Sequence, residues 1–254
     1  ANYPSEDHRF QMVMGALSYA GTPDAQSALL DMYADGNLDQ IGRESVIDAF
    51  TLMDAPASPE AIDMLQDAFQ SDDPELRSRA GLALGSAQRN NPNQDLRSWI
   101  RREWAAAKND VDRQTVLEYV GNSGDPELLS IVDEALRVGD LSVRRLALNS
   151  TRFMDVPKVN TYLLEHFRNR ELHQSLRYEA LNSLTLHRWE ERFLPTMESC
   201  VRDERMDALR MGCARFTLEQ LRHEQRMKAL LRAERANSES AAWQDFVDRE
   251  LSDS

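Results

Sequence analysis

Apolar residues recur along this 254-residue chain in short clusters at helical spacing, and an arginine precedes each cluster at a fixed offset. Arg9, Arg43, Arg77, Arg113, Arg144, Arg177 and Arg210 follow one another at intervals of 34, 34, 36, 31, 33 and 33 residues. Three and four places after them stand Met12/Val13, Val46/Ile47, Ala80/Gly81, Val116/Leu117, Ala147/Leu148, Ala180/Leu181 and Cys213/Ala214. Those offsets place each small or apolar pair on the helical face of its arginine. A pattern that keeps both the arginine and its apolar face over roughly 200 residues is the signature of a repeat architecture.

Each period predicts an outer helix, a short turn and an inner helix that carries the arginine on an inward face. Thr22-Pro23, Ser58-Pro59, Asn91-Pro92 and Asp125-Pro126 read as outer-helix starts, with Pro157 opening another. A capping side chain before proline satisfies a free N–H, and the proline's missing donor costs nothing in the first turn. Asp39, Asp73 and Asp140 stand four residues before an arginine, placed to cap the inner helices and to favour their positive dipole ends. Inner helices are predicted near 6–20, 40–53, 73–88, 110–121, 140–153, 172–187 and 205–220. The outer ones fall near 23–34, 59–70, 93–107, 126–138, 156–168 and 190–202. No stretch alternates with period two between turn signals, so the chain reads as all-α. The period is lost after residue 220, which predicts one elongated repeat domain over 1–220 and a helical cap over 221–254. In the cap, Trp243, Phe246, Val247 and Leu251 form an apolar stripe at helical spacing.

Composition narrows the function classes. No apolar run is long enough to span a bilayer. The formal net charge is −13, concentrated in residues 1–100, where 6 Arg face 16 acidic residues. Such a balance repels phosphate backbones and counts against a nucleic-acid clamp unless a basic stripe overrides it, and no such stripe is seen. Of the 30 basic residues only Lys108, Lys158 and Lys228 are lysines. No stretch reads as a signal peptide, and the chain opens on Ala1 as a processed product would. The compartment therefore stays open between cytoplasm and periplasm. Cys213 falls at a small core position of the repeat, while a bridge to Cys200 across a helix pair is the alternative.

Asp73-Pro74-Glu75-Leu76-Arg77-Ser78-Arg79-Ala80-Gly81-Leu82-Ala83-Leu84 and Asp140-Leu141-Ser142-Val143-Arg144-Arg145-Leu146-Ala147-Leu148 resemble the inner-helix signature of HEAT repeats. The likeness is to the short kind, also found in phycobilin lyases, and it spans most of residues 6–220. Gly124-Asp125-Pro126-Glu127-Leu128-Leu129 is similar to the start of an outer helix. The resemblance implies a right-handed α-solenoid of about seven helix pairs closed by a C-terminal capping helix. It also implies that the repeat arginines bond aspartates and carbonyls of neighbouring repeats. Tetratricopeptide repeats share the period, but their Trp, Gly-Tyr and Ala-Phe positions do not recur. A local cadence at Ala20–Leu30, Ala57–Ile62 and Ala83–Ser86 is similar to the helical domain of vitellogenin-type lipid-transfer proteins. No β-rich segment accompanies it to build their lipid cavity.

The chemistry-bearing residues form no catalytic constellation. There is no GxSxG, P-loop or dinucleotide glycine pattern, and acidic pairs are too common to single out an acid and base. His8, His166, His173, His187 and His223 lack ligand spacing, and they read as solvated. His166, His173 and His187 come near one predicted turn, where a surface metal site would be the alternative. Trp104 continues a core stripe with Leu96 and Ile100, while Trp99 lies to its side. No cofactor and no metal are expected. The positions five after each arginine, Met14, Asp48, Leu82, Glu118, Asn149, Asn182 and Arg215, are expected to line a concave wall. Their run from apolar and acidic through polar to basic suits an extended polypeptide better than a small-molecule pocket. The chain thus reads as a non-catalytic protein-interaction scaffold with a protein or peptide partner, and without nucleic acid or a membrane span. The alternatives are a HEAT-like enzyme of lyase or DNA glycosylase type, and a helical module of a lipid-handling assembly.

Overall fold

The computed structural model describes residues 8–36 and 38–252. Among the described residues the chain is all-helical, with no strand and no cis peptide bond. It divides into two compact units, one ending at Met154 and the other starting at Asp155. The boundary expected at residue 220 falls inside the second unit.

The first unit holds α1 (His8–Ala20), α2 (Pro23–Ala34), α3 (Gln40–Thr51), α4 (Pro59–Phe69), α5 (Pro74–Asn90), α6 (Gln94–Ala106), α7 (Asp110–Ser123), α8 (Leu129–Val138) and α9 (Leu141–Asn149). The second holds α10 (Pro157–Arg168), α11 (Gln174–Thr185), α12 (Leu194–Asp203), α13 (Asp207–Leu218), α14 (Glu224–Ala236) and α15 (Ala241–Ser252). Short 3₁₀ turns lead into α8, α12 and α14.

Caps punctuate the helices much as the sequence dictates. Thr22, Ser58, Asp39, Asp73 and Asp140 each accept from an N–H of the first turn, at 2.8 to 3.2 Å for the best bond of each. Such caps contribute about 1 kcal/mol apiece. At Asn91-Pro92 the start differs from expectation. Asn93 is the cap, accepting from Asp95 N at 2.7 Å, so the proline stands outside α6. Val156, before Pro157, offers no side-chain cap because it has no acceptor.

Within the first unit each odd helix packs on its odd neighbours, α1 on α3, α3 on α5, α5 on α7 and α7 on α9, and on an adjoining even helix. In the second, α11 packs on α10 and α13, and α13 on α12, α14 and α15. The apolar pairs after the arginines form this core: Val46, Ile47, Ala80, Leu117, Ala147, Leu148, Ala180, Cys213 and Ala214 are fully buried. The first pair departs from the pattern, with Met12 60% and Val13 46% exposed. α1 packs against α2 and α3, and it buries Phe10, Met14 and Ser18 instead. α15 covers α13 and α14, burying Trp243, Phe246 and Val247.

Candidate functional site

The seven repeat arginines grade from solvent to interior. Arg9 and Arg43 are exposed, against the inward placement expected. Arg77 and Arg113 are partly buried and reach carboxylates, Asp112 at 2.8 Å and Asp110 at 2.7 Å. Arg144, Arg177 and Arg210 repeat one bond. Each Nε donates to a carbonyl in the last turns of the preceding even helix: Leu136 at 2.6 Å, Phe167 at 3.0 Å and Val201 at 3.0 Å. Those carbonyls belong to helix ends, where no intrahelical donor remains for the final turn. Arg177 also pairs with Glu204, and Arg210 stacks 3.8 Å above the Trp243 ring with Asp207 and Glu234 nearby. Burial raises the Glu204 carboxyl, but the Arg177 bond and charge with two backbone N–H groups outweigh it, and its pKa is lowered. Arg177 and Arg210 are thus each held by a backbone carbonyl and by acidic side chains.

The positions five after each arginine behave differently. Met14 is buried at 4% exposure and lines no open wall, because α1 turns that side onto α2 and α3. Asp48, Leu82, Glu118, Asn149 and Asn182 are all partly exposed, and Arg215 is exposed. The middle four stand on α3, α5, α7 and α9, helices packed side by side. Arg79 on α5 reaches across to Asp48 on α3 and also pairs with Glu75 at 2.9 Å and Glu44 at 3.4 Å. Asn122 Nδ2 donates to the Leu82 carbonyl at 2.6 Å and to Ser86 Oγ at 2.8 Å, tying α7 to α5. Ser78 on α5 acts on the Glu118 carboxyl on α7. Arg152, just past α9, donates to Asn149 Oδ1 at 3.1 Å and acts electrostatically on Glu118. A row of mostly polar, partly exposed side chains therefore crosses four helices of the first unit.

Two carboxyls in the row are held above the usual carboxylate range. Burial raises Asp48, against the opposing charge of Arg79. For Glu118 burial again dominates, Ser78 and Arg152 oppose it, and Glu75 adds to it. Glu118 Oε2 is buried without a hydrogen-bond partner. In the second unit Arg215 pairs with Glu250 at 3.3 Å and lies over the Phe246 ring. Asn182 is partly exposed, and its carbonyl accepts from Thr185 Oγ1 at 2.7 Å.

The remaining candidates resolve as structure. His187 is buried and bonds Asn160 rather than facing solvent, His173 caps α11, and His166 stacks on Tyr162. His223 bonds Glu191 at 2.9 Å. Among the described residues no three His, Cys, Asp or Glu side chains gather as a metal site. Cys200 and Cys213 are free and buried; the Cys213 thiol is pushed up first by burial and then by its hydrogen bond with Cys200. Trp104 is buried, and Trp99 packs edge-on against Phe69 at 4.9 Å and Tyr119 at 6.4 Å. A cavity of about 280 Å³ beside the α4–α5 turn is lined by Phe69, Asp72, Arg77, Glu103, Lys108 and Asp112, whose charges largely cancel.

Sequence reasoning passed over Arg79, Ser78, Arg89, Arg152 and Phe153. None carried a periodic signal: the offset of Arg79, two after Arg77, is filled elsewhere by Gln11, Ser45, Thr115, Leu146, Glu179 and Gly212. No family model matches the chain, and no curated protein matches it. No helix among the described residues is long and apolar enough to cross a membrane.

Proposed function

We propose that this chain is a HEAT-like, right-handed α-solenoid of about seven helix pairs that acts as a non-catalytic scaffold, holding a polypeptide partner along its inner wall. The supporting observation is the partly exposed row of Asp48, Arg79, Ser78, Glu118, Asn149 and Arg152 across α3, α5, α7 and α9. Packed helices lie about 8–10 Å apart, and an extended chain advances about 3.3 Å per residue, so one partner residue in three meets each helix. Alternating donors and acceptors over that length match a peptide backbone and its side chains. A small-molecule site would instead close around an apolar cavity with a few converging polar groups. The charge of −13 opposes a polyanionic ligand such as nucleic acid.

A photo-crosslinking amino acid in place of Leu82, compared with one in place of the exposed Glu134 on α8, tests the reading in cells of the source organism. The expected result is a discrete polypeptide adduct from position 82 and none from position 134. Equal adducts from both positions, or turnover of a substrate by the purified chain, would contradict the scaffold.

A further inference from the structure

Past α9 the backbone is wound into consecutive tight turns. Arg152 N bonds Asn149 O at 3.1 Å and Met154 N bonds Thr151 O at 2.8 Å, while Ser150, Thr151 and Met154 are fully buried. This frame holds Phe153 rigidly outward, 48% exposed. The end of α7 is shaped to receive the pair. Gly124 has φ +59°, and a Cβ there would meet Phe153 O at 2.8 Å; a Cβ on Gly121 would collide with the Arg152 guanidinium. Arg89, from the last turn of α5, comes in from another helix, so that the Arg89 and Arg152 guanidiniums lie 5.2 Å and 5.0 Å from the Phe153 ring centre.

These two cations, like Arg101, Arg137 and Arg144, which reach only backbone carbonyls, lack the carboxylate that other arginines of the unit hold. Arg77, Arg79, Arg97 and Arg113 in the same unit each hold a carboxylate. Arg89 has only the Asn122 carbonyl at 3.0 Å and the Ser86 hydroxyl at 3.4 Å; Arg152 has only the Asn149 amide and carbonyl oxygens. Among the described residues neither forms an ion pair, in a chain where acidic residues outnumber basic ones 43 to 30. Burial and the like charge of Arg89 pull the Arg152 pKa down, and Glu118 opposes them from beyond ion-pair distance. Two neighbouring guanidiniums beside a half-exposed ring favour an anion that bridges them.

We propose that Arg89, Arg152 and Phe153 form a receptor for a carboxylate side chain of an extended polypeptide, with the Phe153 ring packing on the adjoining methylenes. The receptor rests on the scaffold reading and names the chemistry at one end of the polar row. Its other end, where Asp48, Glu44 and Glu75 surround the single Arg79, has the opposite sign. The partner segment therefore runs from basic to acidic along the row.

The probes are an N-acetylated hexaglutamate peptide, its hexaglutamine analogue and inorganic phosphate, each titrated into the full chain with the arginine Nε–H resonances observed by NMR. Hexaglutamate should shift the Arg89 and Arg152 signals saturably, hexaglutamine should not, and Arg89→Gln or Arg152→Gln should weaken binding at least tenfold. Arg89→Gln, at an exposed site, keeps the test valid if Arg152→Gln unfolds the turn. Phosphate binding as tightly as hexaglutamate would overturn the assignment in favour of a small-anion site, and no saturable shift would overturn it outright. An adduct from position 82 that survives Arg89→Gln/Arg152→Gln unchanged would overturn the receptor and leave the scaffold standing. Hexaglutamate binding without any adduct would support the receptor and count against the scaffold.

Discussion

Replacing Arg177 by alanine removes the most deeply embedded of the repeat arginines and has a calculable cost. Its side chain is 9% exposed and that of its partner Glu204 is 8% exposed. The substitution leaves the Glu204 carboxylate buried without a counterion and the Phe167 carbonyl without its donor. Breaking a buried pair from one side costs about 3–5 kcal/mol, most of it from stranding the remaining charge. At 2–4 °C per kcal/mol, the expected fall in Tm is roughly 6–20 °C. The pH dependence follows from Glu204, whose pKa is lowered in the folded state. A lowered carboxylate contributes stability above the unfolded value and loses it as pH falls through the folded one. The gap between wild type and Arg177→Ala should therefore be widest at neutral pH and narrow on acidification, where Glu204 protonates in both. Adding Glu204→Gln to the alanine variant should recover part of the loss at neutral pH. Thermal melts from neutral to acid pH check this. A loss no greater than that of Arg113→Ala, whose pair is more exposed, or a gap that ignores pH, would refute the argument.

Three further outcomes are expected. Arg144→Ala, which strands the Leu136 carbonyl, should cost about 1–3 kcal/mol, whereas Arg168→Ala, at an exposed site bonded to the Thr196 hydroxyl, should cost under about 1 kcal/mol; equal melting shifts would contradict this. Truncation after Arg235 removes the buried Trp243, Phe246 and Val247, worth several kcal/mol at about 25 cal/mol per Å², and should lower the melt and promote self-association. An unchanged melt by calorimetry with no aggregation by light scattering would refute the cap. Glu118→Gln should raise Tm at neutral pH: a carboxyl whose folded pKa is raised loses stability as pH climbs from the unfolded value through the folded one. The gain should vanish below the carboxylate range, and a lower Tm at neutral pH would count against it.

The helices were legible because caps and periodicity are local. Asp39, Asp73 and Asp140 announce α3, α5 and α9 through bonds that span two or three residues, and the apolar pairs after the arginines mark the core face turn by turn. What the sequence could not convey depends on distant neighbours. Met12 and Val13 occupy the same repeat position as Val46 and Ile47, yet they are exposed because nothing among the described residues packs beyond α1. Met14 is buried because its side of α1 faces α2 and α3, and His187 is interior because Asn160, 27 residues away, supplies its partner. The Arg89, Arg152 and Phe153 cluster joins residues 64 positions apart through the end of α7, so no spacing rule brings them together.

The central claim is that a polypeptide occupies the row on the odd helices of the first unit. Hydrogen–deuterium exchange on the chain alone and bound to the partner captured from position 82 tests it most directly. Amide protection is predicted along α3, α5, α7 and α9 and the turn carrying Arg152 and Phe153, with α2, α4, α6 and α8 unchanged. Protection confined to the even helices, or to none of the first unit, would contradict the account.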